Sequence, residues 1–275
     1  MGLQIIIKGT DFSALGLGKV ITANKFMELA AITETIQKDA LNALVLDMVN
    51  YGLWDKMTAI YPFVGDTSTA HKFNLKDPRD LDEAYRLTFA GEVSDTYSAA
   101  GFKTNGTTTT ANTWIAPKVI DNVHLSYYNT VPETSGTNGL AMGLVSNVSH
   151  AIYLGRNFNS RTVGAISTGA LTTDTAYDRT KTGLLLANRT ATTNISLYDA
   201  GVSIGTSIAA VTSPSTMANN VNTLRIGSAT SSNNTVNYFG TVTLGFASYG
   251  VALTMKNIVD LNTAVFTFQS ALGRA

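Results

Sequence analysis

Apolar positions along this chain follow two different periods, and the change of period divides it. Over 34–51, Ile36, Ala40, Leu41, Leu44, Val45, Met48 and Val49 recur at helical spacing, and Gly52 stands where a helix C-terminus favours glycine. Trp54 follows the stop, placed to pack beneath that helix. Near the other end, Ile258, Leu261, Val265, Phe268 and Leu272 step by 3, 4, 3 and 4 along one face, with Thr254 as N-cap and Gly273 as stop. From 84 to 252 the period is two: Tyr85/Leu87/Phe89, Val123/Leu125/Tyr127, Ala151/Tyr153, Leu224/Ile226 and Val242/Leu244/Phe246 alternate with polar or small residues. Turn clusters such as Asn105-Gly106, Ser135-Gly136-Thr137-Asn138-Gly139 and Ser231-Ser232-Asn233-Asn234 separate these runs. Asn194–Tyr198 and Val202–Ile204 flank Asp199-Ala200-Gly201, a hairpin with Gly201 at the left-handed position. Many short strands between regular turns predict a mainly β fold: an antiparallel β-sandwich of two sheets, with the two α-helices packed on it.

The remaining segments are less periodic. Residues 1–20 read as an extended N-terminal arm, because short apolar runs interrupted by Gly2, Gly9, Gly16 and Gly18 support neither a helix nor a hairpin. Residues 21–83 read as a helical segment and connecting block, and 84–275 as the sandwich with its C-terminal helix. Within the block, 59–63 (AIYPF) is strand-like, and Lys76-Asp77-Pro78-Arg79 is a turn because Pro78 turns Asp77 away from helix. In the arm, Ile5, Ile6 and Ile7 have strand propensity without a local partner, which suits pairing to a sheet edge on a neighbouring protein.

Composition narrows the function. Charged residues make up 14% of the 275, with Lys+Arg and Asp+Glu equal at 19 each. Zero net charge argues against nucleic acid or an anionic membrane as partner, and suits a protein made to assemble with copies of itself. Cysteine is absent, so disulfides, thiolate metal sites and cysteine nucleophiles are excluded. The three-isoleucine run is too short for a secretory signal, and no stretch approaches a membrane helix; the expectation is folding in a cytoplasm.

Two sets of residues carry a family resemblance. NISLYDAGVSIGT (194–206), LRIGSAT (224–230) and GTVTLGFASYGVALTMKNIVDLNTAVFTFQSALGR (240–274) resemble the second half of a concanavalin A-like lectin or laminin-G domain. There a hairpin precedes an "IRIG" strand, and a later strand leads into a helix opened by Leu-Thr, the place of Leu253-Thr254 here. GLWDKMTAIYPFVGDTSTAHKFNLKDPRDLDEAYRLTF (52–89) resembles a block in functionally uncharacterised virion-associated proteins of tailed bacteriophages. Its strongest pieces are "YPFVG", "HKFNLKDPR" and, at the far end, "FQSALGR"; Asp66 departs from the pattern, where a second glycine is common. The resemblance implies a concanavalin A-like jelly roll and a place in the virion, assembled in the bacterial host cytoplasm among other virion proteins. It brings no catalytic residue with it.

Catalytic chemistry bears on the reading as well, because lectin-like sandwiches also host glycosidases. Such enzymes need two carboxylates across a cleft, and the Glu-x-Asp-x-x-Glu strand of the retaining ones does not occur. Between 84 and 253 the carboxylates are Glu92, Asp95, Asp121, Glu133, Asp174, Asp178 and Asp199, of which Glu92 with Asp95 is a pair read as a solvated bend. His71, His124 and His150 lie far apart in sequence and lack a nucleophile motif. Asp174 with Asp178 is the local candidate for calcium, but no metal or cofactor is expected. Sugar sites combine an aromatic platform with Asn, Asp and Arg, so Trp114, Tyr128, Arg156, Asn188 and Arg189 are the candidate ligand residues. Three readings follow: a non-enzymatic structural component of a phage capsid or tail anchored through its N-terminal region, a carbohydrate- or receptor-binding module of a tail fibre that meets a host surface glycan, and, third, a glycoside hydrolase.

Overall fold

The computed structural model describes residues 14–118, 121–132, 139–147, 150–158, 161–167, 172–173, 181–191, 194–207, 222–230 and 235–275. Ile5, Ile6, Ile7, Glu133, Asp174 and Asp178 lie outside the described residues. One sheet runs β13 (Val202–Ser207), β12 (Asn194–Asp199), β11 (Gly183–Ala191), β6 (Val123–Asn129), β17 (Thr243–Gly250), β4 (Gly101–Lys103) and β3 (Tyr97–Ser98), with β1 (Met57–Tyr61) also on β17. The second faces it. It runs β10 (Thr172–Thr173), β9 (Arg161–Ser167), β8 (His150–Phe158), β7 (Met142–Asn147), β14 (Arg225–Ile226), β5 (Thr110–Asn112) and β2 (Thr88–Ala90), extended by β15 (Ala229–Thr230) and β16 (Val236–Asn237). The pairing is antiparallel apart from two single-residue parallel contacts, Thr230 with Leu144 and Leu140 with Phe239. The expected sandwich is present.

Alternation along the central strands sorts side chains into two cores. On β6, Val123, Leu125 and Tyr127 enter the core between the sheets, as do Leu185 and Ala187 of β11 and Ile152 and Leu154 of β8. Tyr128, Leu184 and Leu186 point to the other side, where α1 (Ala14–Leu29), α2 (Thr35–Asn50) and α4 (Met255–Ala271) lie. The molecule therefore has three layers: helices, first sheet, second sheet. Both helices expected from the sequence form, with Gly52 in left-handed backbone after α2 and Thr254 closing a capping box with Asn257 at the start of α4. Trp54 is buried with them.

Four expectations need correction. Residues 14–20 are not part of an extended arm but the start of α1, whose Ala23, Phe26 and Met27, with Ala30 just past its end, bury against the rest of the helical layer. Glycines at 16 and 18 cost helix propensity locally, and packing of the later turns overrides them. Ile36 is on the open side of α2, 67% exposed. Tyr85 is in left-handed backbone after a short 3-10 turn (Asp82–Ala84), and the strand starts only at Thr88. Finally, Val242, Leu244 and Phe246 do not share a face. A bulge between Leu244 and Phe246 turns Phe246 toward the helices, at Gly245, where Gln269 of α4 donates to the backbone carbonyl at 3.0 Å and leaves no room for a Cβ.

The block at 61–80 is a latch on the sheet. β1 lies along β17 beside β4, so its outer edge has open backbone groups. Asn74, fully buried, fills that edge: its Oδ1 accepts from the Ile60 and Lys76 amides at 2.9 and 3.0 Å, and its Nδ2 donates to the carbonyls of Thr58 and Ala84 at 3.3 and 3.1 Å. The Leu75 amide completes the pairing by donating to the Ile60 carbonyl at 2.8 Å. A side-chain amide, with two donors and two acceptor lone pairs, here does the work of a neighbouring strand. Around it, α3 (Ser68–His71) turns His71 inward, where its Nε2 donates to the Gly65 carbonyl at 2.9 Å and its ring meets Phe63 and Tyr97 edge-on.

Two measurements follow from these contacts. Asn74→Ala strands four backbone partners, two of them in buried bonds, so its unfolding free energy in denaturant should fall by about 3 kcal/mol; a loss within error of zero would show that water or rearranged backbone replaces the amide. The second concerns acid. Burial pushes both His71 and His124 down to about 4 from an ordinary 6.5, against the hydrogen bonds that each donates to a carbonyl. The unfolded chain therefore binds protons at these sites before the folded chain does, and stability should decline as pH falls from about 6.5 toward 4, by up to roughly 3 kcal/mol for each histidine. Denaturation midpoints between pH 7 and pH 4.5 test this; the pH slope should be shallower in His124→Gln, and an unchanged slope would refute the assignment.

Candidate functional site

The five candidate ligand residues do not gather into one site. Arg156 projects from β8 across the interior, where its guanidinium grips Asp199 of β12 at 2.6 and 2.9 Å and donates to Asn129 of β6 at 3.1 Å. Burial raises the Asp199 carboxyl, but the bonds and charge of Arg156, helped by Lys181, outweigh it and hold the group below its usual range. Arg189 makes the reverse crossing from β11, donating to the Ile166 carbonyl of β9 at 2.7 Å and pairing with Asp121 at 2.9 Å. Both guanidiniums are buried. Asn188 exchanges two hydrogen bonds of 2.9 Å with the backbone of Leu253 and so fixes the approach to α4. Tyr128 lies in the core under the helices. Four of the five are thus structural.

Strand parity could have revealed this. Arg156 has the parity of Ile152 and Leu154, and Arg189 that of Leu185 and Ala187, all of which face the inter-sheet core. A cation on the inward face of an apolar strand needs a buried partner rather than a solvent ligand.

Trp114 alone remains at the surface, 37% exposed, and its surroundings are the candidate site. Its backbone is left-handed, at φ 60°, which for a tryptophan is strained by about 1–3 kcal/mol. Two bonds hold it there: the Trp114 amide donates to Asn112 Oδ1 at 3.1 Å, and the indole Nε1 donates to Thr88 Oγ1 at 2.9 Å. Thr88 is on the wall of a shallow hollow of about 270 Å³, shared with Ser68, Thr69, Lys72, Arg86, Leu87, Phe89 and Glu92. The latch builds one wall of it, because α3 that turns His71 inward leaves Ser68, Thr69 and Lys72 facing out. The Leu87 amide donates to the Lys72 carbonyl at 2.7 Å and joins that wall to the lead into β2.

Charge in the hollow is arranged in a ladder. Asp80 accepts from Lys72 at 2.6 Å and from Arg86 at 2.8 Å, and Asp82 accepts from Arg86 at 2.9 Å. Hydrogen bonds from Lys72 and then Arg86 hold the Asp80 carboxyl below its usual range. On the other side, Glu92 accepts from the Tyr97 hydroxyl, whose own ionisation is pushed up first by burial and then by that carboxylate. Asp95 is engaged elsewhere, with Lys103. The hollow therefore offers cationic donors, a carboxylate acceptor and three hydroxyls beside an exposed aromatic ring. Sequence reasoning named Trp114 but missed Lys72, Arg86 and Thr88, which are 26 or more residues away from it.

A larger hollow of about 490 Å³ opens between α1 and α2, lined by Asn24, Met27, Glu28, Ile32, Thr35, Lys38, Asp39 and Asn42. It has no aromatic side chain. Among the described residues, no three His, Asp or Glu side chains form a group that could hold a metal ion.

No protein-family model matches the chain, and no curated protein sequence matches it significantly. Among solved structures, domain 4 of the extracellular arabinanase AbnA from Geobacillus stearothermophilus, in complex with arabinotriose, is 13% identical with a TM-score of 0.46; the match covers 75% of this chain and 98% of that one. A Trypanosoma rangeli sialidase is 10% identical with a TM-score of 0.49, over 82% of this chain and 39% of the sialidase. The CBM40 of the Ruminococcus gnavus IT-sialidase is 9% identical with a TM-score of 0.43, over 64% of this chain and 97% of that one. At such values a likeness carries no ligand or activity from one protein to another.

Proposed function

We propose that this chain is a non-enzymatic structural component of a bacteriophage particle, with the sandwich as its displayed body and its N-terminal region as its anchor. The observation that carries the reading is the convergence of the three segments on which the phage resemblance rests. "YPFVG" supplies Phe63 and the Gly65 carbonyl, "HKFNLKDPR" supplies His71, and "FQSALGR" supplies Arg274. These meet around one joint: His71 bonds to Gly65 and meets Phe63 and Tyr97 edge-on, and Arg274 ties in two residues beyond Tyr97. Arg274 also donates to the Ala99 carbonyl at 2.6 Å, tying the end of the helical layer to the β3–β4 turn. Segments nearly 200 residues apart thus share one fastening, which supports the structural reading.

A second reading has its own observation. An exposed, strained Trp114 beside a hollow rich in hydroxyls and charge fits a carbohydrate-binding module of a tail fibre.

Mass spectrometry of purified particles should find this chain as a stoichiometric component, and its absence would end the structural reading. Because α1 starts at residue 14, deletion of 1–13 is the appropriate truncation. It should leave the denaturation midpoint of the isolated protein unchanged and abolish incorporation into particles. Normal incorporation of the truncated chain would show that the anchor is elsewhere.

A further inference from the structure

We propose that the hollow beside Trp114 selects an uncharged saccharide presenting a vicinal diol and discriminates against acidic sugars. The inference rests on the glycan-binding reading and adds to it the ligand's charge and its mode of recognition.

Donor and acceptor chemistry gives the first part. Lys72 and Arg86 are donors only, the Glu92 carboxylate accepts only, and Ser68, Thr69 and Thr88 do both. A diol presents the same dual character on adjacent carbons, so it can accept from a cation and donate to a carboxylate at once. A ligand without hydroxyls would displace water from Ser68, Thr69, the spare Lys72 donors and the Glu92 carboxylate without replacing its hydrogen bonds, at a cost of about 1–3 kcal/mol each. Trp114, pinned through Thr88 at the rim, adds an aromatic surface suited to the C–H face of a sugar ring. Its left-handed backbone is the type of strain that persists where a binding surface is held in place.

The charge ladder gives the second part. Lys72 and Arg86 are already neutralised by Asp80 and Asp82, and Glu92 adds a third carboxylate against two cations. An incoming carboxylate would have to displace Asp80 from both cations while facing Glu92. Repulsion of this kind is how a site rejects a near relative of its ligand. The hollow is also small: at about 270 Å³ it is at or below the usual lower limit of roughly 300 Å³ for ligand pockets, so a single site binds weakly. Many copies on one particle would compensate, since linked sites gain roughly 10²–10⁴-fold in avidity.

The test is binding of the full chain, immobilised at high density, to an array of neutral hexose oligosaccharides alongside sialylated and uronate-containing ones. The expected result is retention of neutral glycans at least tenfold stronger than of acidic ones. Trp114→Ala and Thr88→Val should each weaken that binding at least tenfold with unchanged far-UV spectra, and Asp80→Asn, which releases Lys72 and Arg86, should narrow the preference. Preference of the wild-type protein for acidic glycans, lost in Trp114→Ala, would overturn the charge argument while leaving the glycan-binding reading intact. Neutral binding that survives both Trp114→Ala and Thr88→Val would move the site elsewhere and overturn the assignment. Binding to no glycan of either kind would remove the reading and the inference together.

Discussion

The buried edge of β1 is the constraint around which the first sheet and its connections are built. Ile60 faces the helical core while Tyr61 and Ala59 face the core between the sheets, so both faces of this strand are dry. Its outer edge is also covered at Ile60 and half-covered at Thr58, so the backbone there needs partners from the protein. Asn74 resolves this with one side chain, and because the same amide holds the Ala84 carbonyl, it fixes the path that leads from β1 into β2 of the opposite sheet. The short helix α3, the left-handed Phe63 and the turn at Asn74–Asp77 are the local geometry that brings the amide to that edge.

The two sheets are joined by more than apolar contact. Arg156 crosses from the second sheet to the first near Gly183, and Arg189 crosses the other way six residues along β11. At about 3.3 Å per residue the two crossings are roughly 20 Å apart, near the two ends of the strand. Buried ion pairs of this type often add little net stability, because desolvation offsets their attraction. Their effect here is registry: each guanidinium reaches its partners on the opposite sheet only in one alignment. That role explains why side chains typical of sugar sites are unavailable to a ligand.

Latch and hollow are two sides of one segment. His71 and Lys72 are adjacent, yet one is in the aromatic joint with Phe63 and Tyr97, and the other is in the ion-pair ladder with Asp80. The wall that contains Lys72 is as rigid as the joint behind it, since the Lys72 carbonyl is bonded to Leu87 and His71 to Gly65. A surface held this way requires little ordering on contact, which favours recognition by a pre-formed site. Structural and binding roles are therefore compatible within the same block.

Period and composition by themselves determined the sandwich, helices α2 and α4, the hairpin at 199–202 and the absence of thiol chemistry, because alternation and capping are written in neighbouring residues. They also contained, in strand parity, the inward direction of Arg156 and Arg189. Helix α1 was illegible, since its glycines oppose it and tertiary packing, chiefly against α2, stabilises it. The site was legible only as Trp114. What tertiary structure decided is which groups meet: Asn74 draws partners from 2, 10, 14 and 16 residues away, Arg156 finds Asp199 at 43, and His124 finds Val251 at 127. Sequence patterns specify that a polar group on a buried face must be satisfied. Which partner satisfies it depends on chain segments brought together by the fold, and no local period encodes that distance.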